Sequence, residues 1–277
     1  MNIKNVLRQS PLLQRIRKRQ RIFCFYAGMQ LDGSRYCREQ SKAFYPHLLF
    51  ETRCPLYNRA TGFGMTYQEN KVYNLKLVAA VLNGVVIRPG EAFSFWRLAR
   101  RADRRTPYRD GLVVIGGKLT TAPGGGLCQM SNSLFWMFLN SPLTIIERHG
   151  HAVKDFPEPP SDAPIGVDAT ISEGWLDLKV KNDTNAVYQI GISFDEAFII
   201  TSVFTERDDG LLYRAVSGTP RYLRENGKVF EEVDVLRRTI HARTGAQINE
   251  CRLYRNRCEI GYPLPEGTQI VQKGDPV

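Results

Sequence analysis

The stretch Thr121-Ala-Pro-Gly-Gly-Gly-Leu-Cys-Gln-Met-Ser-Asn-Ser-Leu-Phe-Trp-Met-Phe-Leu139, with the return run Leu143-Thr-Ile-Ile-Glu-Arg-His-Gly-His151, decides how the rest of the chain is read. Three consecutive glycines cost backbone entropy, so their use is geometric: they permit positive φ and close approach to the backbone. A helix is predicted to begin at Cys128. Leu127, Met130, Leu134 and Phe138 share one face, and Phe135, Trp136 and Met137 widen it, so this helix should be buried nearly all round. Cys128 falls in its first turn, where unpaired N–H groups and the helix dipole favour a thiolate. A sulfur in that state is a nucleophile, and the same amides can hold an oxyanion.

The return run brings histidines toward that sulfur. A helix from Cys128 to Leu139 rises about 18 Å, a distance that a strand covers in roughly five or six residues. Starting at Leu143, the chain regains the level of Cys128 near Arg148 and His149. In a strand, His149 and His151 face the same side, so either is a candidate base for Cys128. Asp168, on the next predicted strand, is the candidate orienter, completing a nucleophile, base and orienter in chain order. Each assignment has a rival. Cysteine is among the most buried residue types and often fills core. The histidines also read as polar strand residues beside Glu147 and Arg148, and Asp168 as a turn cap. The His-x-His pair is alternatively a metal ligand pair with Cys128 or Asp168. The favoured assignment carries no metal and calls for no cofactor. Gly124, Gly125, Gly126 and Gln129 are candidate anion-binding residues at the helix start.

Upstream, Thr66 and Glu69 match a capping box. Val72, Leu75, Val78, Ala79 and Leu82 then repeat with helical period, and Asn83-Gly84 supplies a stop. Residues 85–87 and 93–96, around Pro89-Gly90, read as a hairpin. Residues 97–109 hold six arginines, of which Arg97, Arg101 and Arg105 are candidate clamps for phosphate or carboxylate; a solvated loop is the competing reading. Downstream, Pro157, Pro159, Pro160 and Pro164 break regular structure. Residues 168–172 and 175–181, around Glu173-Gly174, read as one hairpin, and residues 188–194 and 198–204 continue a meander. The tail reads as short strands. The expected class is α+β: two main helices packed on a largely antiparallel sheet, with a β-rich C-terminal part. The expected division is a basic N-terminal region (1–66), a core domain (67–207) and a β-rich element (208–277).

Composition limits the function classes. The chain has 277 residues, 43% of them hydrophobic, and a net charge of +10. That excludes a disordered protein and favours anionic partners. No nucleic-acid module with a readable signature occurs, so nucleic acid is not an expected partner. Six cysteines lack any CxxC or zinc-like spacing, and Cys251 and Cys258 sit in what reads as a hairpin. Reduced thiols and a cytoplasmic location are expected. The apolar run at residues 22–29 is far shorter than the ~20 residues that span a bilayer. Leu7, Leu12, Leu13 and Ile16, interleaved with basic residues, suit an amphipathic helix in peripheral contact with an anionic membrane; a solvated basic helix is the alternative.

A resemblance then joins these pieces. Asn74-Leu-Lys-Leu-Val-Ala-Ala80, Leu82-Asn-Gly84, Pro89-Gly-Glu-Ala-Phe-Ser-Phe95, Gly124-Gly-Gly-Leu-Cys-Gln129, Glu147-Arg-His-Gly-His151, Asp168-Ala-Thr-Ile171 and Asp177-Leu-Lys-Val-Lys-Asn182 resemble the VanW family in order and spacing, over about residues 70–185. The resemblance implies an accessory role in glycopeptide (vancomycin) resistance, with a cell-wall precursor or peptide as partner. It supplies no reaction. Two readings therefore stand: a Cys128-dependent acyl hydrolase or transferase acting on cell-wall peptides, and a non-catalytic binding or assembly module for an anionic precursor at the membrane surface.

Overall fold

The computed structural model describes residues 10–58, 62–115, 118–154 and 162–272. The expectations for Leu7, Pro157, Pro159 and Pro160 lie outside them. Helix α1 spans Pro11–Leu31, α2 Met65–Leu82, α3 Phe95–Ala99 and α4 Cys128–Leu139. The two helices expected from periodicity are α2 and α4, and α1 is longer than either.

Helix α4 is the centre of the core. Met130, Leu134, Phe135, Met137, Phe138 and Leu139 are inaccessible to solvent, and Trp136 nearly so. The last six residues of α4 are apolar on every side and so require burial all round. A first sheet orders strands β2 (His47–Pro55), β11 (Phe198–Thr205), β10 (Tyr188–Phe194) and β3 (Val86–Ile87), all antiparallel. A second orders β1 (Arg35–Tyr36), β4 (Glu91–Ser94), β9 (Lys179–Lys181) and β7 (Thr144–Glu147), with β1–β4 the parallel pair. Across the core, Phe93 meets Phe138 with ring centroids 5.1 Å apart, and Phe50 meets Trp136 edge-on at 5.7 Å. These contacts tie both sheets to α4.

The C-terminal part is a third sheet built on a long hairpin of β14 (Lys228–His241) and β15 (Gln247–Ile260). Strands β13 (Arg221–Glu225) and β12 (Leu211–Ser217) flank β14, and β16 (Ile270–Gln272) flanks β13. Strand β8 (Val153–Lys154), from the middle of the chain, adds to the β15 edge in parallel. Strands β5 (Asp110–Ile115) and β6 (Lys118–Pro123) form a separate ribbon leading into the glycine triplet. The α+β class and the β-rich C-terminal part both hold.

Local expectations are corrected in several places. The N-cap of α2 is Gly64, with no side-chain cap, so Thr66 lies inside the helix and no capping box forms. The Pro89-Gly90 turn exists, closed by the Glu91 N–H to the Arg88 carbonyl at 2.9 Å, but its arms join different sheets. Residues 95–99 are helical because Ser94 caps them: its Oγ accepts from the Arg97 N–H at 3.1 Å. Residues 168–172 form no ladder with 175–181 beyond a bridge of Ser172 with Leu176. Cys251 and Cys258 lie along one strand, β15, rather than across a hairpin, and none of the six cysteines is in a disulfide.

Candidate active site

The stop at Leu139 and the return through β7 act as the sequence predicts, but β7 ends at Glu147 and the histidines lie beyond it. They do not share a face. His149 Nε2 lies 3.1 Å from Glu147 Oε1, and Glu147 also holds Lys179 Nζ at 2.8 Å. His151 turns to Asp168, its Nδ1 2.8 Å from Oδ1. The pair therefore cannot clasp one ion, and among the described residues no three His, Cys, Asp or Glu side chains are arranged to hold a metal.

Residues 168–171 are not a strand because α4 and its neighbours take their backbone groups. Asn132 Oδ1 accepts the Ala169 N–H at 2.6 Å, Ser131 Oγ donates to the Ala169 carbonyl at 2.5 Å, and the Thr170 N–H donates to the His149 carbonyl at 2.7 Å. Helix α4 thus carries Cys128 and, one turn on, the residues that fix the segment facing it. Cys128 Sγ lies 3.5 Å from Thr170 Oγ1 and 3.9 Å from the Ile171 carbonyl oxygen, and the nearby His151 ring favours its charged form.

Asp168 is 5% exposed and bonds His151 twice, through the ring and through the backbone N–H at 2.5 Å. With Nδ1 committed to the carboxylate, Nε2 is the ring atom left for the sulfur. Burial alone pushes the Cys128 thiol up, but the His151 ring, the Ile171 backbone and the Thr170 hydroxyl outweigh it and the net direction is down. The Asp168 bond, then the Cys128 bond, raise His151 to about 10. Burial works against the Asp168 carboxylate, yet its bonds to His151 hold it below the usual range. All three shifts point the same way, toward a charged sulfur, ring and carboxylate.

Arg148 buttresses the set. Its Nε donates to the Asp168 carbonyl at 2.5 Å, and its other end donates to Asn256 Oδ1 on β15 at 2.6 Å. The guanidinium lies over the Tyr254 ring, 4.5 Å from its centroid. Nothing in the sequence pointed to Asn256 or Tyr254, which lie more than a hundred positions from Cys128. Asn132 was hidden as one polar residue in an apolar helix.

The glycines are used for packing. Gly124 and Gly126 have φ of +79° and +90°, and a side chain on Gly125 would run into the backbone of Gly111 on β5. A side chain on Gly126 would run into the aliphatic stem of Lys71, whose burial lowers it to about 8. The Cys128 N–H has no acceptor among the described residues. Gln129 is tied down instead, its Nε2 donating to the Pro55 carbonyl at 2.6 Å and meeting Cys54 Sγ at 3.3 Å. The arginine loop reaches the glycines only at its end, where the Arg109 carbonyl accepts the Gly124 N–H at 3.2 Å; Arg97 stacks on Tyr36, 4.8 Å from the centroid, and Arg101 and Arg105 are exposed.

An α+β scaffold that presents Cys128, His151 and Asp168 from a helix start and two loops is of the kind that supports thiol-based acyl transfer. Comparison with known proteins gives the chain its family. A family model described as VanW like protein matches residues 70–204, a span containing all three of these residues. The chain is 55% identical over 271 residues to the Vancomycin B-type resistance protein VanW of Enterococcus faecalis, covering 98% of each. It is 28% identical over 165 residues to the uncharacterized protein YoaR of Bacillus subtilis, covering 58% of this chain and 53% of that one. No solved structure matches. The chain belongs to the VanW family.

Proposed function

We propose that this protein serves vancomycin resistance, as the name of its enterococcal relative states, and that it does so by cysteine-dependent acyl transfer on a cell-wall peptide. The supporting observations are the His151 ring held by Asp168 at 2.8 Å and the influence of that ring on Cys128, which favours the thiolate. In the proposed reaction the Cys128 thiolate attacks an amide or ester carbonyl carbon. The carbonyl electron pair moves to oxygen, where the free Cys128 N–H meets it. Collapse breaks the bond to the leaving group, which takes the Nε2 proton of His151. The now neutral ring then removes a proton from water or from an acceptor amine, which attacks the thioester and releases the sulfur as thiolate.

Alkylation of the full chain, with modified residues identified by mass, tests this reading. Cys128 should react faster than the buried Cys258, and Cys128→Ser should abolish resistance while leaving the fold intact. Equal rates, or unchanged resistance in Cys128→Ser, would sink it. A second reading has its own support: the unpaired Cys128 amide and the Lys71 stem crossing Gly126 suit capture of a carboxylate or phosphate without chemistry. Under that reading Cys128→Ser keeps function and Lys71→Met loses it.

A further inference from the structure

Helix α1 has two apolar faces, and only one is covered. Ile22, Tyr26 and Met29, at helical spacing, pack inward, with Tyr26 and Met29 buried. Leu12, Ile16 and Phe23 follow one another at steps of four and seven, so they share another face, and they are 66%, 51% and 72% exposed. Arg15 and Arg19 flank this stripe, and Arg17, Lys18 and Arg21 continue the charge. No acidic residue occurs anywhere in Pro11–Leu31. Residues 11–20 are exposed nearly all round, and an isolated helix of that length is marginal in water without a surface to fold against. Trp175, 62% exposed, stands beside the helix with the Arg21 guanidinium 5.1 Å from its ring centroid. Among the described residues no helix is long and apolar enough to cross a membrane.

We propose that this face of α1 lies on an anionic phospholipid surface, with Leu12, Ile16 and Phe23 among the acyl chains and the arginines on the headgroups. An apolar stripe edged by cations and free of acids fits that surface better than a protein groove or a purely polyanionic partner. The docking helix is also tied to the site. Gly174 packs against Ile22 so closely that a side chain there would collide with it, and Tyr26 Oη donates to Glu173 Oε1 at 2.8 Å. Glu173 and Gly174 follow Thr170 and Ile171, the residues that touch Cys128. Docking of α1 therefore also anchors the loop that follows the residues touching Cys128. The docking itself does not depend on the sulfur chemistry.

Co-sedimentation of the full chain with vesicles tests it, using equal parts phosphatidylcholine and phosphatidylglycerol against phosphatidylcholine alone. The chain should pellet with the anionic vesicles and be released by salt. Ile16→Glu and Phe23→Glu should each weaken partitioning roughly tenfold or more, and Arg15→Gln and Arg19→Gln about fivefold each. Both sets alter exposed residues, so folding is kept, and Cys128→Ala should bind as the parent does whether or not the sulfur is catalytic. Three outcomes overturn the proposal: no association with anionic vesicles at low ionic strength, association indifferent to Ile16 and Phe23 and matched by binding to heparin, or a concentration-dependent dimer that Phe23→Glu dissolves.

Discussion

Asp168 holds His151 by two bonds at once, the ring Nδ1 at 2.8 Å from Oδ1 and the backbone N–H at 2.5 Å from Oδ2. One bond sets the tautomer and the other sets where the ring sits, so a single buried carboxylate decides both the charge and the aim of the base. That arrangement makes the acidity of Cys128 a property of three residues rather than one.

The first expected outcome follows from that coupling. The rate of Cys128 alkylation, followed against pH, should show a midpoint below the ordinary thiol value of 9.0. Asp168→Asn removes the largest influence raising His151, so the imidazolium is lost at lower pH and the thiolate midpoint should move up. Turnover should fall by about 10²–10⁴-fold if the ring is the working acid and base. An unmoved midpoint in the variant would break the link between carboxylate and sulfur.

Asp177 gives a pH signature of stability. It has no exposed surface, accepts from the Trp96 and Leu178 N–H groups, and takes the Ser94 hydroxyl at 2.6 Å. Burial raises its carboxyl from 3.8 to about 6. The folded state thus holds this proton more tightly than the unfolded state, so the contribution is full below pH 3.8 and is lost as pH rises through 6. Thermal unfolding should show the parent losing on the order of 3 kcal/mol over that window relative to Asp177→Asn, at 1.36 kcal/mol per unit. Parallel curves for the two proteins would refute the assignment.

Arg148 and Asn256 join the site to the C-terminal sheet through a 2.6 Å bond. Removing Arg148 leaves the buried side-chain oxygen of Asn256 without this donor, which costs about 1–3 kcal/mol. A double-mutant cycle with Arg148→Met and Asn256→Ala, read by denaturant unfolding, should give a coupling energy of about 1–3 kcal/mol. Additive losses would show that the sheet does not support the site through this contact.

Gly125→Ala should be destabilising through the backbone of Gly111, which cannot step aside without opening the β5–β6 ribbon. A loss of about 1–3 kcal/mol is expected, together with a slower reaction at Cys128. Gly125 itself has no positive φ, so this loss reads the collision alone, whereas Gly227→Ala, at φ +77° in open space, reads backbone strain alone.

Periodicity and turn chemistry made α2, α4, the return through β7 and the β10–β11 hairpin legible, because each is set by neighbours a few residues apart. The same local signals put Cys128 at a helix start and named His151 and Asp168. They also misled where distant partners compete for the same backbone. Residues 168–171 have strand-like content, yet Asn132 and Ser131 claim their amide and carbonyl groups. His149 and His151 have the spacing of a strand pair, yet separate carboxylates pull them apart.

By itself, then, the amino-acid order determined which segments coil, which extend, and that a cysteine would sit at a helix start, since those outcomes depend on periodicity and on residues within a few positions. Only the tertiary structure decided which histidine meets the sulfur, what holds Asp168 in place, and that β15 supplies the brace. Those contacts join groups up to 108 positions apart (Arg148 to Asn256), and their selection depends on the burial and pairing of polar atoms that no local pattern records.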